Sequence, residues 1–466
     1  MNGELTRQHR SGIENYEQAI EYLYSRINYE RVPGNSFSVS EFRLDRMREL
    51  LRRLGNPQES IPAVHIAGTK GKGSTAAMIA SCLQQAGIVT GLFTSPHITA
   101  FEERIVVNGR QATPGQIVEL VNQLLGLIAE LDEAPGDWSP TYFEIATAMA
   151  WLFFRQSGVQ LAVLEVGLGG RLDATTVCRP LVTIITSISR DHTRQLGSRL
   201  DQIAREKGGI IKPGVPLING ATQPNARQAI EEIARDVGAP LLQLGVDFTY
   251  VSRSTQVPGT LPLNAIDVCI GQRVWDKVAV SLSGEHQAHN LAVALTALEL
   301  LRTAGWDISE TAIRQGLAEL YWPGRIEVLA HHPLTIVDTA HNWASIQALL
   351  RTLDQIPARR RILVFAATKD KDVAGMLRQV TAWFDTIVMT SYVNNPRGVP
   401  VAELERLTQL SHGATIHIAT DAASAWKMAR RLSGPDDLIC VTGSFFIAAE
   451  LRDVILDVRD ESGPSA

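Results

Sequence analysis

A chain of 466 residues is too long for one ordinary core, so two or three domains are expected. Its 45% hydrophobic and 20% charged content is that of a globular protein, and a formal net charge of -5 excludes whole-chain attraction to nucleic acid or acidic membranes. The polar start MNGELTRQHRSG has no signal-peptide core, and the apolar stretch around Phe143 to Phe154 is short for a membrane span and contains Glu144. Cys82, Cys178, Cys269 and Cys440 are scattered with no CxxC pair, which fits a reducing cytoplasm better than a zinc site or a disulfide framework.

In chain order, a helix is predicted over Tyr16 to Ile27 and another over about Ser40 to Leu54, where Leu44, Met47, Leu51 and Leu54 recur at helical spacing and Gly55 is the stop. Short β-branched runs follow at Val64-His65-Ile66, Leu161-Ala162-Val163-Leu164 and Val182-Thr183-Ile184-Ile185. Helical segments lie between them, around 74–86, 114–131 and 141–156. This alternation implies a largely parallel sheet covered on both faces. From about Asp247 to Ser283 the pattern turns to alternation with Pro and Gly turns, expected as an antiparallel extension of the same domain. A helix over 290–303 ends at Gly305. After Trp322-Pro323-Gly324 a second strand–helix series begins, so the chain divides near residue 310, into 1–309 and a smaller α/β domain over 310–466.

The segment Gly68-Thr69-Lys70-Gly71-Lys72-Gly73-Ser74 lies between an apolar run and a helical one. Strand, glycine loop and helix make a phosphate cradle, because glycines let backbone N–H groups curl round oxyanions and the helix start adds its dipole. A loop lysine can reach the terminal phosphates, and a hydroxyl at the helix start can hold Mg²⁺. Gly73 separates Lys72 from Ser74 where the usual pattern has Lys and Ser/Thr adjacent; a flexible turn with a solvated lysine is the alternative.

Further polar clusters fall at the C-terminal ends of predicted strands, where open α/β sheets place ligands. Glu165 precedes Gly167-Leu168-Gly169-Gly170-Arg171-Leu172-Asp173, and a carboxylate there can coordinate a hard cation. A dinucleotide fingerprint is disfavoured because Leu172 stands where its third glycine belongs, and a tight turn with Arg171 paired to Asp173 is the bland alternative. Asp191-His192 ends another strand, with His192 open to a metal, base or structural role. Ser95 in Ser95-Pro96-His97 could join a Mg²⁺ shell, and Lys207 by itself reads as a surface lysine.

Together these motifs closely resemble the folylpolyglutamate synthase/dihydrofolate synthase branch of the Mur ligase family, from Tyr16 to about Phe446. Markers are Phe42-Arg43-Leu44-Asp45-Arg46-Met47, the GTKGKGS loop, Ser95-Pro96-His97, Glu103-Arg104-Ile105, Thr141-Tyr142-Phe143-Glu144, EVGLGGRLDAT, Asp191-His192-Thr193, Glu206-Lys207, Pro323-Gly324-Arg325, Asp338-Thr339-Ala340-His341-Asn342 and Thr442-Gly443-Ser444. The resemblance implies a P-loop Mur-ligase-type ATPase domain and a smaller C-terminal Rossmann-like α/β domain. It implies an ATP-dependent amide ligase that joins L-glutamate to dihydropteroate or to reduced folates through an acyl phosphate. By this resemblance Thr69, Lys70, Gly71, Lys72, Gly73 and Ser74 hold ATP phosphates, Asn290 meets the nucleotide, and Arg325 and Asp338 meet phosphate and ribose. Ser74, Ser95, Glu165 and His192 serve two Mg²⁺ positions, and Lys207 is carbamylated to help hold the second. Arg104 and Glu144 join Lys72, Lys207 and His192 as catalytic members, Phe143 lies against the pterin-bearing substrate, and His341 and Ser444 lie near glutamate. A monomer with no nucleic-acid or membrane partner is expected.

Two departures from the family pattern are Thr176, where Asn is usual, and Thr339, where Gly is usual. A peptidoglycan-precursor ligase would carry an additional N-terminal domain of about 100 residues, for which a loop beginning at Gly68 leaves no room. A P-loop binding protein without ligase activity would not need Glu165, His192 and Lys207 together.

Overall fold

The computed structural model describes residues 12–30, 42–253, 261, 264–393, 395, 397–408 and 413–462, with side chains as far as 457. The chain forms two compact units. One comprises Met1–Val251, Ile266–Ala279 and His289–Leu320, the other Ser252–Ala265, Val280–Ala288 and Tyr321–Ala466. The single division near residue 310 read from the sequence thus stands beside a partition in which the chain leaves and re-enters each unit; the helix Glu310–Ala318 packs on the helix Lys72–Gln85 within the first.

The first unit is built on strands β1 (Pro62–Ala67), β2 (Thr90–Phe93), β3 (Ile105–Val107), β4 (Arg110–Gln111), β5 (Leu161–Glu165), β6 (Arg179–Ile185), β7 (Leu217–Asn219) and β8 (Leu241–Gln243), in the order β4-β3-β2-β5-β1-β6-β7-β8. All neighbours are parallel except β2–β3 and β3–β4. Val64, Ile66, Ala162 and Val163 are fully buried, as a parallel sheet clad on both faces requires. One core gathers the helices Tyr16–Ser25, Leu44–Arg53, Pro114–Glu133 and Tyr142–Gln156 through Leu23, Met47, Leu124 and Trp151. A second packs Ile203, Ile210 and Ile230 beneath Ile185. Register places Ile66 opposite Glu165 and Ala67 opposite Ile185, so three adjacent strands release their chains at one edge.

The expected parallel sheet and its helices are present, with shifted ends. The second helix is Leu44–Arg53, and residues 40 and 41 lie outside the described ones. The loop helix starts at Lys72 rather than Ser74, because Gly71 takes φ 85° as its cap and the two following residues already have helical backbone. The helices Leu200–Gly208 and Pro224–Val237 had no counterpart in the sequence reading.

Strands β9 (Phe248–Ser252), β10 (Asn264–Ile270) and β11 (Arg273–Val280) form a three-stranded sheet in the order β11-β10-β9, where alternation was expected. The second unit carries β12 (Glu327–His331), β13 (Leu334–Val337), β14 (Arg361–Phe365), β15 (Thr386–Met389), β16 (Thr415–Ile418) and β17 (Leu438–Thr442), ordered β12-β13-β17-β14-β15-β16. Only β12 is antiparallel to its neighbour. Its two faces are filled by separate cores, one with Leu349, Met376 and Leu404, the other with Trp426, Ile447 and Leu451.

Candidate active site

The loop after β1 is held by the chain after β6. Thr69 N donates to the Ser187 carbonyl at 2.7 Å, and Ser189 N donates to Thr69 Oγ1 at 3.0 Å. Lys70 N donates to Ser187 Oγ at 3.0 Å, and Thr186 Oγ1 donates to the Lys70 carbonyl at 2.7 Å. Neither Gly68 nor Gly71 tolerates a side chain. At φ 151° and 85°, their Cβ atoms would fall 1.9 Å from Thr186 Oγ1 and 2.1 Å from Asn290 Oδ1. Asn290, buried on the helix Glu285–Thr303, is thereby brought against the glycine loop. Lys72 and Ser74 sit in the first turn of the following helix.

Charged and titratable side chains gather at this loop. Lys72 Nζ lies 3.8 Å from Glu165 Oε1 at the end of β5, and Glu165 Oε2 accepts from Ser95 N at 3.1 Å. Ser95 is therefore delivered to the same carboxylate by the chain following β2. Lys70 Nζ pairs with Asp191 Oδ2 at 3.0 Å, and Asp191 Oδ1 accepts from His192 N at 3.0 Å. His192 has φ 48°, a left-handed conformation that costs a non-glycine residue energy, and its ring is 45% exposed. Lys207 is buried at the end of the helix Leu200–Gly208 and donates from Nζ to the Gly68 carbonyl at 2.9 Å. Its pKa is pushed down to about 7, first by burial and then by the charge of Lys72, so it is no surface lysine.

Residues with hard oxygen donors meet at this edge: Glu165, Ser95, whose backbone N–H is bound to it, and Ser74 in the first turn of the loop helix. Among the described residues no three His, Cys, Asp or Glu side chains converge as a metal cluster. The donor set therefore suits a magnesium ion completed by phosphate and water oxygens, not a dedicated protein cage.

Arg171 pairs with Glu206 at 3.0 Å and not with Asp173, as the bland alternative would have had it. Asp173 instead accepts from the backbone of Leu168 and Thr175. Thr176 donates from Oγ1 to the Gly170 carbonyl at 2.5 Å, so the departure at this position still supplies a hydrogen-bonding side chain.

Arg104 and Glu144 sit deeper. Arg104 is fully buried, binds both carboxylate oxygens of Glu30 at 2.9 and 2.5 Å, donates to His97 Nδ1 at 2.7 Å and stacks 5.3 Å from the Tyr142 ring centroid. Glu144 accepts from Thr141 N and Oγ1, both at 2.8 Å, closing a capping box, and its other oxygen lies 3.3 Å from Arg46 Nε. The geometry gives both residues organising contacts within the fold. Phe143 packs tilted against Phe93 with centroids 5.8 Å apart and covers Gly167. Glu30 and Arg46 were missed as partners: they lie 74 and 98 residues from Arg104 and Glu144, and no local pattern links them.

In the second unit Asp338, buried after β13, accepts from Ile326 N at 2.9 Å and Ala340 N at 2.8 Å. Burial raises its pKa while Arg325 opposes the shift. Phe445 has the Arg325 guanidinium 5.2 Å from its ring centroid and the His341 ring at 5.5 Å. Ser444 is buried and its Oγ accepts from Ile447 N at the start of the final helix. Thr339 Oγ1 donates to the Gly324 carbonyl at 3.1 Å, tying its segment to the turn that carries Arg325. The sequence-chosen residues of this half, Arg325, Asp338, His341 and Ser444, thus share one end of its sheet.

A phosphate loop with an adjoining carboxylate, on a parallel sheet followed by a second α/β unit, defines a Mur-type ligase. The Mur ligase middle domain matches residues 66–298, and the Mur ligase glutamate ligase domain matches 324–445. The chain belongs to the folylpolyglutamate synthase/dihydrofolate synthase family, whose members are ATP-dependent ligases. It is 36% identical over 440 residues to a Bacillus subtilis dihydrofolate synthase/folylpolyglutamate synthase, covering 94% of this chain and 98% of the relative. A Mycobacterium tuberculosis folylpolyglutamate synthase solved with ADP superposes with a TM-score of 0.84 at 30% identity, covering 94% of this chain and 98% of that one. Escherichia coli FolC solved with DHPP and ADP gives 0.80 at 30%, covering 96% and 99%. Among the described residues no helix is long and apolar enough to cross a membrane.

Proposed function

We propose that the protein adds L-glutamate both to dihydropteroate and to the γ-carboxyl of reduced folates, through an acyl phosphate, as a cytoplasmic monomer. A carboxylate oxygen of the acceptor attacks the γ-phosphorus of ATP and ADP leaves. The amino group of glutamate then adds to the acyl carbonyl, loses a proton and expels phosphate, leaving an amide. The observation that carries the reading is the position of Lys72 beside Glu165 at the mouth of a glycine loop that is itself stitched to the next strand.

The protein's part is charge and position. Lys72 and the loop amides from Thr69 to Ser74 take the β- and γ-phosphates, and Asn290 meets the nucleotide. When bound, magnesium would neutralise phosphate charge, held by Ser74, Ser95, Glu165 and His192. Lys207 can serve that set only as an anion, and a lysine whose pKa is about 7 presents at neutral pH the free amine that combines with CO₂ to give a carbamate. Arg104 and Glu144 act as positioning residues around Phe143, which is assigned to the pterin-bearing acceptor. By the family resemblance, Arg325 and Asp338 are assigned to phosphate and ribose, and His341 and Ser444 to glutamate.

Support for two acceptors comes from the chemistry: both reactions activate a carboxylate and use the same amine, so only the pterin-bearing portion shifts, by one glutamate unit. The Bacillus subtilis relative also bears both names. The test supplies ATP, Mg²⁺ and L-glutamate with either dihydropteroate or a tetrahydrofolate monoglutamate and weighs the products. Mass gain by one glutamyl unit on both acceptors is expected. Activity on one alone restricts the enzyme to that step, and activity on neither refutes the assignment.

A further inference from the structure

Beneath the glycine turn that follows Glu165, three buried side chains form a hydrogen-bonded line. His65, in β1, is fully buried among apolar neighbours. Its Nε2 lies 2.8 Å from Thr175 Oγ1, which lies 2.5 Å from Asp173 Oδ1. The two oxygens of Asp173 also accept from Thr175 N and Leu168 N, each at 3.0 Å.

Proton counting gives the line a direction. Burial raises the Asp173 pKa, opposed by the hydrogen bonds that its two oxygens accept; as a carboxylate the group only accepts, so the single hydroxyl proton of Thr175 goes to Asp173. Towards His65 the same oxygen can then only accept. His65 therefore carries its proton on Nε2, which leaves a lone pair on Nδ1, a buried atom with no hydrogen-bond partner among the described residues.

The line anchors a turn on which the site converges. A Cβ on Gly167 would lie 2.6 Å from Phe143 Cζ, and one on Gly170 would lie 2.7 Å from the Lys207 carbonyl. Glu165 precedes Gly167 by two residues, and His65 precedes the phosphate loop by three. Both ends of the line thus belong to segments that must keep a fixed spacing if Lys72 and Glu165 are to address the same phosphate.

We propose that His65 is a positioning residue: as an Nε2–H donor it fixes, through Thr175 and Asp173, the spacing between the phosphate loop and the segment from Glu165 to Gly170. The kinetic test rests on the metal role proposed above for Glu165; the spectroscopic test does not.

In the unmutated protein with isotope-labelled histidine, NMR should show His65, assigned by its loss in His65→Gln, as the Nε2–H tautomer from about pH 5 to pH 8. An Nδ1–H tautomer, or a doubly protonated ring in that range, overturns the line. In glutamate-dependent ATP turnover, Thr175→Val and His65→Met should each raise the Mg²⁺ concentration for half-maximal rate about tenfold, the range seen when outer-shell partners of a metal ligand are removed. Thr175→Ser and His65→Gln, which keep the hydroxyl and the donor, should restore it. The double variant His65→Met/Thr175→Val should be no worse than the poorer single, because one break already frees the turn. Additive losses, or a parental Mg²⁺ requirement in folded Thr175→Val, overturn the proposal. If Glu165→Gln also keeps the parental requirement, the metal reading fails by itself, and the line is judged on the tautomer and on non-additivity in kcat.

Discussion

Lys207 and Glu165 show how placement decides what an ordinary side chain can do. Lys207 shares a confined space with Lys72 and Lys70, and burial together with their charges holds its ammonium form at a disadvantage. Exposure to labelled bicarbonate should therefore give a carbamate signal that Lys207→Ala lacks. The same variant should lose ligation by roughly two to three orders of magnitude and recover part of it with short-chain carboxylates. A folded parent that gives no carbamate signal would return Lys207 to a purely structural role. For the metal, Glu165→Gln should depress turnover and raise the Mg²⁺ requirement more than His192→Ala. Glu165 is buried beside Lys72 and Ser95, whereas the His192 ring is half exposed and a water can take its place. Equal Mg²⁺ titrations for parent and both variants would remove the two residues from the metal shell.

At the scale of elements, strand β1 carries its own pH dependence. Burial, aided by the charge of Lys212, holds the His65 pKa at about 3, against an ordinary value of 6.5. Because the folded pKa is depressed, the imidazole is neutral in the fold, while the unfolded chain gains a proton below 6.5. The stability contribution is therefore complete above pH 6.5 and is lost as pH falls from there towards 3, by up to about 1.4 kcal/mol per pH unit. Urea midpoints measured from neutral pH to about pH 5 should fall less steeply in His65→Gln than in the parent. Parallel slopes would mean that the ring is hydrated or already paired for protonation. The same strand shows what a sequence discloses. Its apolar run, the glycines after it and the helix beyond are local patterns, so the cradle with Lys72 and Ser74 was readable, as were Glu165 and Asp191-His192 at neighbouring strand ends. The line from His65 to Thr175 spans 110 residues and follows from register alone, which no periodicity encodes. Likewise β7 and β8, three residues each, are too short to show an alternation, and the caps that set helix ends depend on local backbone angles.

For the whole molecule, the path of the chain predicts how it tolerates being divided. The chain passes between the two compact units at 251/252, 265/266, 279/280, 288/289 and 320/321. Strands β10 and β11 each begin in one unit and end in the other, so a cut in sequence at either strand divides a hydrogen-bonded element. The segment Val280–Ala288 belongs to the second unit, and Val280, Leu282, Ser283, Gln287 and Ala288 are all buried. Asn264, buried in the same unit, donates from Nδ2 to the carbonyls of Leu282 and Gly284 at 2.8 and 2.7 Å. A fragment of residues 1–320 would keep these segments but lose the remainder of the unit they pack in. Exposing Val280 and Leu282 alone costs about 1.5–3 kcal/mol each, a large part of the roughly 5–15 kcal/mol that holds a typical domain folded. The 1–320 fragment should therefore melt well below the full chain, by more than about 5 °C, or collect as aggregate, even though it contains the entire phosphate loop and its supporting sheet. Calorimetry of the purified fragment beside the full chain decides this. A fragment with the parental melting temperature and a single cooperative transition would mean that the returning segments add nothing to the first unit, and that a cut in sequence suffices to separate the two.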